Sequence, residues 1–217
     1  MALTVGMIAI TLAVAGLAVL PSVLPGKLGF LNRIEVDTDP ENMLSSDEPV
    51  RVFHDEMKER LALHDMIVVG VVNESHPAGV FNPQSLAKVQ ALTRFAETLH
   101  GAQIGEADGV GVIRKDLIAP GTVDTIEPTS AGVSFSWLMR EPPATQAQAD
   151  EIRRQAMRIP FLHDTLVSHD GKALALYVPI SRKDLSYKIS QRLQEEIDRL
   201  GGPEEFHITG LPVAEDT

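Results

Sequence analysis

Cysteine is missing from this 217-residue chain altogether, which excludes structural disulfides, thiol nucleophiles and Cys-ligated zinc together. The redox compartment stays open on that ground, because a cysteine-free chain survives in either setting. Positive charge is also scarce: 19 Lys and Arg stand against 30 Asp and Glu, a net −11. That balance is opposite to the electrostatic footprint of a nucleic-acid binder and unfavourable for docking on anionic lipid heads. No P-loop is present and no HExxH pair occurs.

The most conspicuous absence is local. Met1 to Leu24 (MALTVGMIAITLAVAGLAVLPSVL) contains no Asp, Glu, Lys, Arg or His. As a helix it would reach roughly 35 Å, enough to cross a hydrocarbon core about 30 Å thick. The expectation is therefore a transmembrane helix over residues 1–25, with Pro21 and Pro25 helping to end it. A cleaved signal peptide would carry a basic start and a shorter apolar core, and a buried core helix is usually shorter than this run. The remaining residues, 26–217, are long enough for one domain or two small subdomains with a real core.

Along that remainder, Asn32 to Asp37 alternates as a half-buried strand would, and DTDPENMLSSDEP reads as a loop. Ser45 and Glu48 are spaced as a capping box for a helix with Phe53, Met57 and Leu61 on its apolar face. Met66 to Val72 is a continuous β-branched run, the pattern of a central strand buried on both faces. A helix capped by Asn82, with Pro83 at its first position and Gly101 past its end, buries Leu86, Val89, Leu92, Ala96 and Leu99. Asp108 to Arg114 and Val123 to Glu127 read as strands, the first weakened by glycine, and Gly132 to Met139 as strand or loop. Thr145 with Gln148 opens a helix running to Pro160. Thr165 to Ser168 and Ala173 to Ile180 flank an Asp170-Gly171 hairpin turn. A helix over Asp184 to Leu200 and a strand over Phe206 to Thr209 close the chain. The order reads as two βαβ-like halves, about 26–128 and 129–217. It predicts an α+β fold in which an N-terminal transmembrane helix precedes a ferredoxin-like, split-βαβ domain.

Chemistry is hard to find in this pattern. Asp37, Asp39, Glu41 and Glu48 sit at positions 1, 3, 5 and 12 of a calcium-loop template, but Asn42 replaces the required glycine and Pro40 intrudes. An acidic loop leading into a helix is the simpler account. The seven histidines (His54, His64, His76, His100, His163, His169 and His207) form no HExxH pair and read as surface or core histidines. Gly109-Val110-Gly111 lacks the third glycine of a dinucleotide fingerprint. Ser168, His169 and Asp170 are adjacent on a hairpin and point in different directions, so they cannot form a relay. No catalytic, cofactor-binding or metal-binding residue is assigned, and the chain is not expected to be an enzyme. Phe135, Trp137 and Met139 alternate and would share one face of a strand. They are the candidates for an apolar substrate path, with burial in a core as the plainer alternative.

The order of VDTDPENML, FHDEMKERL, MIVVGVVN, NPQSLAKVQALTRFAETLHG, IEP, SHDGKALALYVPI and ITGLPVAEDT behind an apolar helix resembles the resistance-nodulation-division (RND) superfamily of exporters. Within it the chain looks most like the branch of the mycobacterial membrane protein large (MMPL) and hopanoid-transporter proteins. The resemblance implies the N-terminal part of a proton-driven membrane exporter of lipids or other hydrophobic molecules. Residues 26–217 would be its extracytoplasmic, periplasmic porter domain at the inner (plasma) membrane, with a second transmembrane helix after Thr217. Expected partners are the lipid bilayer, a hydrophobic or lipid substrate, the remaining domains of the same full-length chain and further copies in a homo-oligomer. Nucleic acid is not among them, and no cofactor is implied. The uncharged first helix would hold no part of a proton relay. Two rival readings are a membrane-anchored extracytoplasmic sensor or interaction domain, and a secreted binding protein with a mature N-terminus near Val19 to Gly26.

Overall fold

A computed structural model of the chain describes residues 2–23, 43–129, 132–160 and 162–215. The chain divides into two compact units, residues 1–48 and 49–217. In the first, helix α1 runs Ala2–Val23. Thr11 Oγ1 donates to the carbonyl of Met7 at 2.9 Å, so its hydroxyl is satisfied within the helix. Val5, Met7, Ile8, Ile10, Leu12 and Val14 are all exposed.

Among the described residues no helix is long and apolar enough to cross a membrane. The expectation of a spanning helix over residues 1–25 is corrected on that finding. So is the placement at the inner membrane with residues 26–217 on the periplasmic side, which followed from it. The strand expected over Asn32 to Asp37 and the first acids of the calcium-loop template lie outside the described residues.

The second unit opens with α2 (Pro49–Arg60), which buries no residue and leaves Val50, Val52 and Phe53 exposed. The expected capping box does not form, because α2 begins only at Pro49 and the Glu48 N–H donates to the Ser45 carbonyl at 3.0 Å rather than to its hydroxyl. Strand β1 (Asp65–Val72) follows, then α3 (Pro83–Thr98), β2 (Asp124–Thr129), β3 (Gly132–Trp137), α4 (Gln146–Arg158), β4 (Ala173–Ile180), α5 (Ser186–Leu200), β5 (Glu205–Thr209) and α6 (Leu211–Glu215). The main sheet has the order β4-β1-β5, with both neighbours antiparallel to β1. The chain therefore passes from β4 through α5 to β5, two parallel strands separated by β1.

Register explains the core. Ile67, Val69 and Val71 of β1 are fully buried and lie opposite Val178, Leu176 and Leu174 of β4, which are buried too. On the other side Val69 and Val71 face Ile208 and Phe206 of β5. Because side chains alternate along a strand, one sheet face is thereby apolar and continuous. Leu86, Val89, Leu92 and Ala96 of α3, Ala149, Ile152 and Ala156 of α4, and Ile189, Leu193 and Ile197 of α5 join the same core at helical spacing. The opposite face of β1 is half-buried, so the strand is sealed on one side rather than on both.

The ferredoxin-like expectation is corrected as well. The described residues form an α+β fold of six α-helices with a three-stranded sheet and a separate two-stranded ribbon, β2-β3. A fourth strand beside β4 does not develop. Val112 and Ile118 bridge Ile180 and Tyr177 singly, because the 3₁₀ turn Arg114–Asp116 lies between them and Gly109 and Gly111 just before take positive φ. Such backbone is outside the strand region, so a continuous ladder cannot propagate.

Candidate functional site

The β2-β3 ribbon is the most unusual surface of the second unit. Its register pairs Asp124 with Trp137, Thr125 with Ser136, Ile126 with Phe135 and Pro128 with Val133. Residues that pair directly, and those two along, lie on one face. One face therefore presents Ile126, Val133, Phe135 and Trp137, with Asp124 at its end beside Trp137, and the other presents Thr125, Ser134 and Ser136. A ribbon packed on a core would hide the first set. Here Ile126, Val133, Phe135 and Trp137 expose 61, 59, 70 and 50% of their surface.

The base of the ribbon is fixed. Leu138 N–H donates to the Val123 carbonyl at 3.0 Å and Met139 N–H to the Pro120 carbonyl at 3.1 Å. Thr122 Oγ1 donates to the Leu117 carbonyl at 2.6 Å and accepts from Ala119 N–H at 2.9 Å. Thr125, Leu138 and Met139 are buried. The ribbon is thus a projecting arm on an anchored root, with an apolar face in contact with water.

The three expected substrate-path residues part company at this root. Phe135 and Trp137 lie on the exposed face together, two positions apart on β3. Met139 falls beyond the end of β3 and is buried in the core at 2% exposure, so it does not share their surface. Alternation of period two holds only while the strand lasts, and here Leu138 and Met139 are buried in succession. Beside the root, Leu138, Pro142, Pro143 and Ile152 line an open depression of about 330 Å³, rimmed by Glu141 and Glu151.

The other sequence motifs resolve plainly. Ser168 Oγ donates directly to Asp170 Oδ1 at 2.7 Å, and that oxygen also accepts Lys172 N–H at 2.9 Å. These two bonds hold the Asp170 carboxyl below the usual carboxylate range, the backbone bond being the larger cause. The trio is a turn, not a relay. Gly109 and Gly111 take positive φ and no helix opens from them; the 3₁₀ turn that follows covers only Arg114–Asp116.

Sequence reasoning missed a buried polar network. Asn82 Oδ1 accepts Ser85 N–H at 2.9 Å as the cap of α3, and Asn82 Nδ2 donates to the Gly79 carbonyl at 2.8 Å. The Ser85 hydroxyl accepts from Asn82 Nδ2 at 2.8 Å and Asn73 Nδ2 at 3.0 Å, and donates to Glu204 Oε1 at 2.6 Å. Lys88 donates to the second oxygen of Glu204. Burial pushes the Glu204 carboxyl up, but the bonds from Lys88 and Ser85 outweigh it, and the net direction is downward. Only the Asn82 cap was visible in advance; Ser85 and Glu204 are distant in sequence and meet because α5 returns the chain to the start of α3. The network ties the end of β1, the start of α3 and the α5-β5 turn together.

No protein-family model matches this chain, and no curated protein aligns with it. The functional reading therefore rests on the residues and their geometry.

Proposed function

We propose that the chain supplies the substrate-handling domain of an RND-type exporter of lipids or other hydrophobic molecules, with the apolar face of the β2-β3 ribbon as its contact element. The role is to hold and pass a cargo and not to catalyse a reaction. The observation that carries this reading is the exposure of Ile126, Val133, Phe135 and Trp137 on one face of an anchored arm. Contiguous apolar surface of this kind on a folded domain marks a place where something apolar binds. The order of sequence motifs that resembles RND exporters supports the choice of cargo. So does charge: the ribbon segments carry Asp124 and Glu127 and no Lys or Arg, which favours an uncharged apolar molecule over an anionic one.

Trp137 is the sole tryptophan, so intrinsic fluorescence reports on this face directly. Titration with an uncharged monoacylglycerol below its micellar concentration is expected to shift the emission to the blue with saturation. Phe135→Ser, at an exposed position, removes about 2 kcal/mol of apolar contact and is expected to weaken binding by at least about tenfold. Unchanged emission, or equal affinity in the Phe135→Ser protein, overturns the proposal.

A further inference from the structure

Two of the seven histidines, separated by five residues in sequence, meet in space. His163 Nε2 lies 3.2 Å from His169 Nδ1, with the rings tilted by 44° and their centroids 5.3 Å apart. Asp164 Oδ1 lies 3.7 Å from the same His163 nitrogen. The three ligand atoms are all within 4.8 Å of one another. We infer that His163, Asp164 and His169 form a binding site for a zinc-type divalent cation.

Distance is the first argument. Neighbouring ligands of a tetrahedral ion with bonds of about 2.0–2.1 Å stand roughly 3.3 Å apart, and the two imidazole nitrogens are already at that spacing. The carboxylate needs only a small rotation about its side-chain bonds, and Asp164 is exposed enough to make it. In the absence of metal one imidazole N–H donates to the other ring's lone pair; a cation takes the place of that proton.

Rigidity is the second argument. Leu162, Leu166 and Val167 are buried to within 1% and anchor the loop from below. His163 and Val167 form one bridge and Val167 and Leu174 another. Asp164 N–H donates to the Val167 carbonyl at 2.8 Å, Ser168 N–H to the Ala173 carbonyl at 3.0 Å, and Tyr177 Oη to the Thr165 carbonyl at 2.9 Å. Asp164 itself takes a left-handed backbone, φ +62°, a conformation that aspartate tolerates better than most residues. Both histidines are therefore displayed from a framework that is held before any ion arrives.

Availability is the third. Among the described residues no Lys or Arg lies within ion-pair distance of the Asp164 carboxylate, whose one such neighbour is His163. Asp170, the other acid beside a histidine, is committed to its own turn through Ser168 and Lys172. Two imidazoles and one carboxylate suit zinc and its first-row neighbours, whereas calcium and magnesium favour all-oxygen sets. Three protein ligands leave the fourth position open to water.

The site is independent of the proposed cargo role, and zinc alone is the probe. Calorimetric titration of the full chain with zinc is expected to give one equivalent bound. His163→Ala, His169→Ala and Asp164→Asn are each expected to weaken binding by at least about tenfold, since removal of even an outer partner commonly costs that much. His207→Ala, at an exposed histidine outside the cluster, is expected to leave it unchanged. Zinc should raise the urea midpoint of the native chain but not that of the His163→Ala/His169→Ala double variant, whose midpoint without metal shows whether it folds. Zinc binding of equal strength in the native and double-variant proteins, no binding in the native chain, or equal loss in His207→Ala overturns the inference.

Discussion

Replacing Glu204 by Gln tests whether the buried polar network stabilises the fold as its geometry requires. The carboxylate is 1% exposed and its partner Lys88 18%, so the interaction is shielded far better than a surface pair. The substitution turns a charge-assisted bond from Ser85 into a neutral one and removes the ion pair with Lys88. Hydrogen bonds to buried charged groups contribute about 1.5–3 kcal/mol. Breaking a fully buried pair costs more, but Lys88 retains some access to water. The expected loss near neutral pH is about 2 kcal/mol. With a urea dependence of about 2 kcal/mol per molar, the midpoint should fall by about 1 M.

The pH dependence has a definite sign. Because the folded-state pKa of Glu204 is lowered, its contribution is complete above the unfolded carboxylate value, about 4.3. It is lost as pH falls through the lower folded value. Urea unfolding followed by far-UV circular dichroism should therefore show a gap between native and Glu204→Gln chains at pH 7 that closes in acid. Ser85→Ala, which strips the Asn73 and Asn82 amides of an acceptor, should retain a deficit in acid. Coincident midpoints at pH 7, or a Glu204→Gln gap that is the same at both pH values, would refute the reasoning.

Two smaller perturbations follow from backbone geometry. Gly79 has φ +61°, and a Cβ there would lie 2.3 Å from the Gly171 carbonyl oxygen and 2.8 Å from the Lys172 Cα. Gly79→Ala combines a left-handed penalty with a clash against backbone and should cost more than about 2 kcal/mol, measured as a loss of urea midpoint. Thr145 caps α4 in a capping box with Gln148. Thr145→Ala should cost about 1 kcal/mol, rescued largely by Thr145→Ser; no change on alanine substitution would mean the cap contributes nothing.

Local chemistry was legible because its causes lie within a few residues. Asn82-Pro83 and Thr145 with Gln148 mark the starts of α3 and α4 at the observed residues, since a cap bonds to groups three positions on. Ile189, Leu193 and Ile197 face the core as their spacing of four requires. Asp170-Gly171 makes the turn before β4, where Gly171 supplies φ +75°. The same local logic failed at Ser45, where the Glu48 N–H takes the Ser45 carbonyl and the helix starts only at Pro49. It failed again at α2, whose apolar residues find no partner within the described core.

Periodicity and capping, read from the amino acids alone, marked α3, α4, α5, β1 and β4, but not the segments Asp108 to Arg114 and Thr165 to Ser168, which were expected as strands and form turns and single bridges. They could not settle strand order, because an alternating pattern says which side chains share a face and not which strand lies beside it. Only the tertiary structure placed β1 between β4 and β5, left Phe135 and Trp137 in water while burying Met139, and joined Ser85 to Glu204 and His163 to His169. The strand order and the Ser85–Glu204 bond, 119 positions apart, arise from the path of the whole chain around one apolar sheet face, and the His163–His169 pair from a loop whose turns that core fixes.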